Sequence, residues 1–275
     1  MHLTTLPLLA TLSTFLSPAT AAPKAKPPAF FLAGDSTTAV QSAGGGGTLN
    51  PPTHLLPYKT NTPPGWGDGF LNTTLKKGAT GANFGHNGAT TISFRSGGDW
   101  AAVLSAAASA KSAYAPYVTI QFGHNDQKPE KNISMADLAA NLITFVDEVR
   151  AVGAIPILVT SLTRRRFSSS TGKVTENLVD VTEAAMEAAS KSKAHIVDLN
   201  GASTEYVNSI GADNAATYNL IPADFTHLND EGSVVFGNLV AMLIDAEVSE
   251  VRKYVVPVKE IAEALKAGEY IYPEV

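Results

Sequence analysis

Five short apolar runs recur along the chain, at residues 29–33, 79–83, 117–122, 154–160 and 194–199. Their apolar positions are mostly consecutive rather than alternating, the pattern of strands covered by helices on both faces. The gaps between them carry a three- and four-residue periodicity. Residues 100–112 are Ala-rich, residues 135–152 set Leu138, Leu142, Phe145, Val146 and Val149 along one stripe, and residues 178–190 and 233–251 behave likewise. Each predicts an amphipathic helix. Ser134, three positions before Asp137, is the expected N-cap of the second. Strand and helix therefore alternate, and the alternation predicts one α/β domain around a mainly parallel sheet.

Four stretches stand outside this alternation. Residues 1–21 are largely apolar, are broken by Pro7 and Pro18, and end in Ala19-Thr20-Ala21. The small-x-small ending reads as a cleaved secretory signal, and the run is too short and interrupted to span a bilayer, so a secreted protein with no membrane association is expected. A Pro/Lys linker over residues 22–28 leads into a domain spanning 29–252. Residues 39–65, with Gly44-Gly45-Gly46-Gly47, Pro51-Pro52 and Pro63-Pro64, predict a long loop of the kind that often carries function. Residues 253–275 form a C-terminal extension, with helical pattern at 258–267, expected to pack on the domain. Asn72-Thr73-Thr74 and Asn132-Ile133-Ser134 are glycosylation sequons that agree with export.

Composition then removes whole classes of function. The 275 residues are 44% hydrophobic and 16% charged, a globular balance. With 20 Lys+Arg against 25 Asp+Glu, the net charge is −5, and the basic footprint that grips nucleic acid is missing. There is no Cys, which excludes disulfides, thiolate metal sites and a cysteine nucleophile. The sequence holds no Gly-x-Ser-x-Gly, no His-Glu-x-x-His, no Gly-x4-Gly-Lys-Ser/Thr and no Gly-x-Gly-x-x-Gly after its first strand. Neither a metal nor a nucleotide or other cofactor is therefore expected.

In an open parallel sheet, ligands bind beyond the carboxyl ends of the strands, and these ends are rich in polar residues. The first strand runs into Gly34-Asp35-Ser36-Thr37, the second into Asn83-Phe84-Gly85-His86-Asn87-Gly88, and the third into Gly123-His124-Asn125-Asp126. Near the C-terminus lies Asp224-Phe225-Thr226-His227. A nucleophilic Ser36 needs a base and a carboxylate that orients it, and the spacing of Asp224 and His227 lets both face one way. Taken alone, Gly-Asp-Ser-Thr reads first as an ordinary helix N-cap. Acyl transfer also needs donors for an oxyanion, and the Ser36 N–H, the Gly88 N–H and the Asn125 amide are of the right kind.

Taken together and in this order, the four blocks resemble the SGNH or GDSL hydrolases, over a body from Phe30 to about Val251. Within them the chain is most similar to rhamnogalacturonan acetylesterases, through Gly34-Asp35-Ser36-Thr37, Gly65-Trp66-Gly67-Asp68, Phe122-Gly123-His124-Asn125-Asp126 and residues 160–167. The resemblance implies a three-layer α/β/α sandwich with a five-stranded, flavodoxin-like sheet, and acetylated pectin as substrate. It implies Ser36 as nucleophile, His227 as base, Asp224 as its orienter, Ser36, Gly88 and Asn125 as oxyanion donors, and a structural role for His124. The long 39–65 loop and the lack of Cys depart from what the family suggests.

Arg164-Arg165-Arg166 follows the fourth strand at the same sheet end. On a chain of net −5 this local cationic run would suit a galacturonate polyanion, so all three arginines are candidate substrate contacts. The leading expectation is a secreted serine esterase removing O-acetyl groups from a plant cell-wall polysaccharide through an acyl-enzyme. Two other functions compete: a lipase or broad acyl esterase, with Leu49, Leu55, Leu56, Tyr58 and Trp66 lining a lid, and a non-catalytic carbohydrate-binding protein.

Overall fold

In the computed structural model, which describes residues 25–39 and 65–275, five parallel strands form one sheet with helices on both faces. The strands are β1 (Pro28–Gly34), β2 (Thr80–Asn83), β3 (Ala115–Gln121), β4 (Ile155–Val159) and β5 (His195–Val197), in the order β2-β1-β3-β4-β5. This is the expected α/β/α sandwich. The first strand starts one residue earlier than the sequence suggests, so Pro28 belongs to the sheet rather than to the linker. The signal-like segment and residues 40–64 of the long loop lie outside the described residues.

Helices α1 (Trp66–Thr74), α2 (Thr91–Ser96), α3 (Asp99–Ala110), α4 (Met135–Ala151), α5 (Val179–Ser192), α6 (Leu199–Ala216), α7 (Asp230–Glu247) and α8 (Lys259–Ala267) complete the fold. Two cores form because strand side chains alternate between faces. From β1, Phe30 and Leu32 enter the core shared with α1, α6, α7 and α8, while Ala29, Phe31 and Ala33 enter the one under α2 to α5. Phe30 stacks on Tyr117 with ring centroids 5.3 Å apart and meets Phe70 edge-on at 5.2 Å. Truncating such a buried ring would destabilise the fold by about 3–5 kcal/mol. Ser134 does cap α4, its hydroxyl accepting from Asp137 N at 3.1 Å while the Asp137 carboxylate accepts from Ser134 N at 3.1 Å.

Helix α1 has no sequence forecast, because Gly67 and Gly69 dilute its helical pattern. Those glycines are needed for packing. A side chain at Gly69 would collide with the backbone of Ser233, and one at Gly237 with the backbone of α1, so the two helices approach through glycine. The C-terminal extension buries Ile261 and Leu265 beside α7 and sets Tyr272 parallel to Tyr218, with ring centroids 6.3 Å apart.

Strand β1 lies between β2 and β3, so chain direction across the sheet reverses on either side of it. A crevice forms beyond strand ends at such a switch point. Residues 35–39 leave β1 and residues 122–126 leave β3 at this place.

Candidate active site

Beyond β1 the backbone turns at once. Thr38 N and Ala39 N donate to Asp35 O at 3.1 and 3.0 Å, while the Asp35 carboxylate accepts from Thr37 N and Thr37 Oγ1, each at 2.9 Å. A short Asp side chain closing on the amide two residues ahead is what makes this turn locally favourable. Ser36 stands at its apex, 7% exposed.

From β3, Gln121 holds the turn from below. Its Oε1 accepts from Thr38 Oγ1 at 2.7 Å and Trp66 Nε1 at 3.1 Å, and lies 2.9 Å from Thr37 Oγ1, whose single hydrogen it shares with the Asp35 carboxylate. The indole can only donate, so it settles which end of the amide faces the turn. On the other side Asn83 Nδ2 donates to Thr38 O at 2.7 Å and to Asp68 Oδ1 at 2.9 Å. Burial pushes the Asp68 carboxyl up to about 6, against the lowering effect of Asn83. Gln121 was not singled out from the sequence. A buried amide between apolar strand residues is the signal that could have found it, since such a group must have partners.

His227 reaches Ser36 across 191 positions of sequence. Ser36 Oγ–H donates to His227 Nε2 at 2.9 Å, and His227 Nδ1–H donates to Asp224 Oδ2 at 2.7 Å. The second Asp224 oxygen accepts from Thr226 N at 3.0 Å and His227 N at 2.9 Å. Burial alone would raise the Asp224 carboxyl, but these donors outweigh it and hold it below its ordinary value. A carboxylate facing Nδ1 places the ring proton there and leaves Nε2 with its lone pair toward the serine. Such a relay can remove the hydroxyl proton as Ser36 Oγ attacks a carbonyl carbon.

Two further sequence candidates lie in the loops that follow β2 and β3. The β1–β2 pairing extends through His86 N to Gly34 O at 3.0 Å, and the chain then turns through Gly88, exposed and at φ +74°. Asn125, 5% exposed, donates from Nδ2 to Ala89 O at 3.0 Å and accepts at Oδ1 from Lys128 Nζ at 2.7 Å. The ammonium fixes which end is oxygen, and the amide keeps a second hydrogen beyond the one spent on Ala89. Asp126, fully buried, accepts from Thr91 N at 2.9 Å and Thr91 Oγ1 at 2.7 Å, which pins the start of α2 to the β3 end. Burial, with the Asp35 charge adding to it, raises its carboxyl above the usual range.

His124 contacts Leu162 and Asp35. It is 3% exposed, donates from Nε2 to Leu162 O at 3.0 Å, and sets Nδ1 3.5 Å from Asp35 Oδ2. Burial raises the Asp35 carboxyl, but the His124 charge and the Thr37 donors bring it below its ordinary value. His86 pairs with Asp99 at 2.8 Å and His195 with Glu247 at 2.9 Å, both on the surface.

The arginine run divides, which corrects the sequence reading. Arg165 is 1% exposed and donates inward, from Nε to Asn219 Oδ1 at 2.7 Å and from Nη2 to His227 O at 2.6 Å. A polymer cannot reach it, so it is no substrate contact. Arg164, half-buried, donates to Thr226 Oγ1 at 2.6 Å, while Arg166 is exposed with its guanidinium 4.9 Å from the Phe225 ring centre. Both line an open cleft of about 380 Å³ with Asn177, Ile221, Asp224 and Thr226. Asn72 and Asn132 are exposed. Trp66, a candidate lid residue, is fully buried in the core, whereas Leu49, Leu55, Leu56 and Tyr58 lie outside the described residues. Among the described residues no three His, Cys, Asp or Glu side chains cluster as metal ligands, and no helix is long and apolar enough to cross a membrane.

The profile of the GDSL-like Lipase/Acylhydrolase family matches residues 32–235. The rhamnogalacturonan acetylesterase RhgT of Bacillus subtilis is 29% identical over 228 residues, covering 78% of this chain and 89% of its own. Among solved structures, the Bacillus subtilis protein YXIM aligns with a TM-score of 0.66 at 22% identity, over 81% of this chain and 57% of that one. This chain thus spans little more than half of YXIM. The acetylxylan esterase Axe2 of Geobacillus stearothermophilus aligns with a TM-score of 0.53 at 16% identity, over 80% of this chain and 93% of that one. These two structures share the fold.

Proposed function

The chain belongs to the GDSL-like lipase/acylhydrolase family and is a carboxylic ester hydrolase, and from that premise we propose that it is a secreted serine acetylesterase acting on acetylated pectic polysaccharide. The observation that carries the chemistry is the continuous relay from Ser36 Oγ through His227 to Asp224, with contacts of 2.9 and 2.7 Å. Ser36 Oγ attacks the acetyl carbonyl as His227 Nε2 takes its proton. The Ser36 and Gly88 N–H groups and the Asn125 amide receive the charge that grows on the carbonyl oxygen. His227 then protonates the sugar oxygen as its bond to the acyl carbon breaks, so that the sugar leaves with a free hydroxyl and acetyl-Ser36 remains. Water enters, gives its proton to His227, attacks the acyl carbon, and acetate leaves as the proton returns to Ser36 Oγ.

The likeness to an acetylesterase of rhamnogalacturonan supports the acetyl group and the pectic polymer. The Arg164 and Arg166 cleft beside Asp224 supports a polyanion, since guanidinium groups pair readily with carboxylates. Export is supported by the apolar N-terminal segment and by the exposure of Asn72 and Asn132.

The test is acetate release from acetylated pectins, acetylated xylans and a series of small acyl esters. Ser36→Ala should lose about 10⁴- to 10⁶-fold in turnover while staying folded. Arg166→Gln, which removes the exposed cation and its contact with the Phe225 ring, should lower activity on acetylated pectin and spare a small neutral ester. Added salt should mimic it in the parent, because exposed charges are screened beyond about 8 Å. An equal effect of Arg166→Gln on both substrates would remove the cleft from substrate recognition, and activity rising with acyl-chain length would replace the acetylesterase reading with a lipase one.

A further inference from the structure

The segment from Asn219 to Leu228, which carries both Asp224 and His227, has little regular structure of its own. An antiparallel bridge joins Asn219 and Leu228, Leu220 N donates to His227 O at 3.0 Å, and Asp224 N donates to Ile221 O at 2.9 Å. Its remaining ties come largely from the segment after β4. Arg165 N donates to Phe225 O at 2.8 Å, its Nε to Asn219 Oδ1 at 2.7 Å and its Nη2 to His227 O at 2.6 Å, while Arg164 Nη1 reaches Thr226 Oγ1 at 2.6 Å. One side chain thus grips the first residue of the loop and the carbonyl of the histidine near its end. The imidazole on that residue must meet a hydroxyl held by a different strand, so any drift of the carbonyl is passed on to the Nε2–Oγ contact.

This arrangement is an odd choice for stability alone. The guanidinium is buried and, among the described residues, it joins no ion pair and its Nη1 has no partner. Burial pushes its pKa down to about 9, with the Asp224 charge acting the other way. Well-packed apolar residues commonly replace buried charges without loss of stability, and sometimes with a gain. What an apolar residue cannot do is hold two acceptors of one loop in fixed relation. The planar fork of arginine can.

We propose that Arg165 is a positioning residue, which sets the path of the Asn219–Leu228 loop and thereby the alignment of His227 on Ser36. It touches no substrate. The inference rests on the reading of Ser36, His227 and Asp224 as the catalytic set.

The test compares Arg165→Met and Arg165→Lys with the parent and with Ser36→Ala, on a small neutral acetyl ester. Met preserves apolar packing without donors, while Lys keeps the charge and can reach one of the two acceptors. Both variants should keep KM near the parental value and lose kcat, by about 10²-fold for Met, the scale of a displacement near 1 Å. The downfield proton resonance of His227 Nδ1–H in its bond to Asp224 should weaken with it. The two rank orders should oppose each other. Met should melt at or above Lys, because a buried, poorly paired ammonium is unfavourable, yet Lys should turn over faster than Met.

Activity that follows melting temperature instead, or a folded variant with parental kcat, overturns the inference. Should either variant fail to fold, Asn219→Ala, which keeps the cation and removes its Nε acceptor, must lower kcat at unchanged KM or the inference fails. An active Ser36→Ala would sink the catalytic reading itself, whereas inactive Ser36→Ala beside fully active Arg165→Met would sink only the role of Arg165.

Discussion

Replacing Asp224 with Asn changes one atom and should disable the relay through a proton. The Asp224 oxygen that faces the backbone accepts from Thr226 N at 3.0 Å and His227 N at 2.9 Å. Two N–H donors select the oxygen of an asparagine amide at that position, and its NH2 is thereby turned toward His227 Nδ1, 2.7 Å from the present carboxylate oxygen. An NH2 group can only donate, so Nδ1 must become the acceptor and the ring proton moves to Nε2. That nitrogen then points a hydrogen at Ser36 Oγ, 2.9 Å away, and can no longer take one. Enforcing the wrong tautomer in a Ser-His-Asp arrangement lowers turnover by about 10⁴-fold, or about 5.4 kcal/mol in the barrier.

The fold should hardly notice. The backbone bonds to the side-chain oxygen persist, the loss is of charge assistance worth about 1 kcal/mol, and the melting temperature should fall by about 2–4 °C. Acetate release measured beside a thermal melt therefore separates the two effects. Asp224→Asn protein that is folded and keeps a tenth of parental turnover would refute the tautomer argument, and with it the orienting role of Asp224.

Asn125→Ala should lower kcat by about 10²- to 10³-fold with KM nearly unchanged, because its amide matters most as charge grows on the carbonyl oxygen; a raised KM at parental kcat would make it a ground-state contact instead. Asp68 gives a pH signature opposite to that of a salt-bridged carboxylate. Its pKa stands at about 6 in the folded protein against an ordinary 3.8, so between those values the folded state holds a proton that the unfolded state has lost. Stability from this group should rise as pH falls from 7 toward 4, by up to roughly 3 kcal/mol. Asp68→Asn should flatten that part of the melting-temperature profile and be at least as stable as the parent at pH 7, and an unchanged profile would show that the carboxyl is not strained by burial.

The strands were legible in the chain because a strand buried on both faces must be apolar at nearly every position, so β1, β3 and β4 announce themselves. The polar blocks were legible for a related reason, since Ser36 and Asn125 break an apolar run where a parallel sheet presents its ligand edge. Helices α1, α2 and α6 were not forecast. The first relies on glycines that only the contact with α7 explains, the second is six residues long and too short to show a stripe, and the third carries a sparse stripe of Leu199, Tyr206, Val207 and Ile210 with a non-helical Gly211 inside. Partnership between distant residues, by contrast, arises only on folding. Nothing local to residue 36 says that residue 227 completes its hydrogen bond, and nothing local to three adjacent arginines says that the middle one is buried beneath the loop while its neighbours face a cleft. Apolar periodicity is a property of neighbouring residues and survives in one dimension. The direction of a guanidinium and the meeting of two loops depend on strand order and on how α7 and β4 place distant segments, and those exist only once the chain has folded.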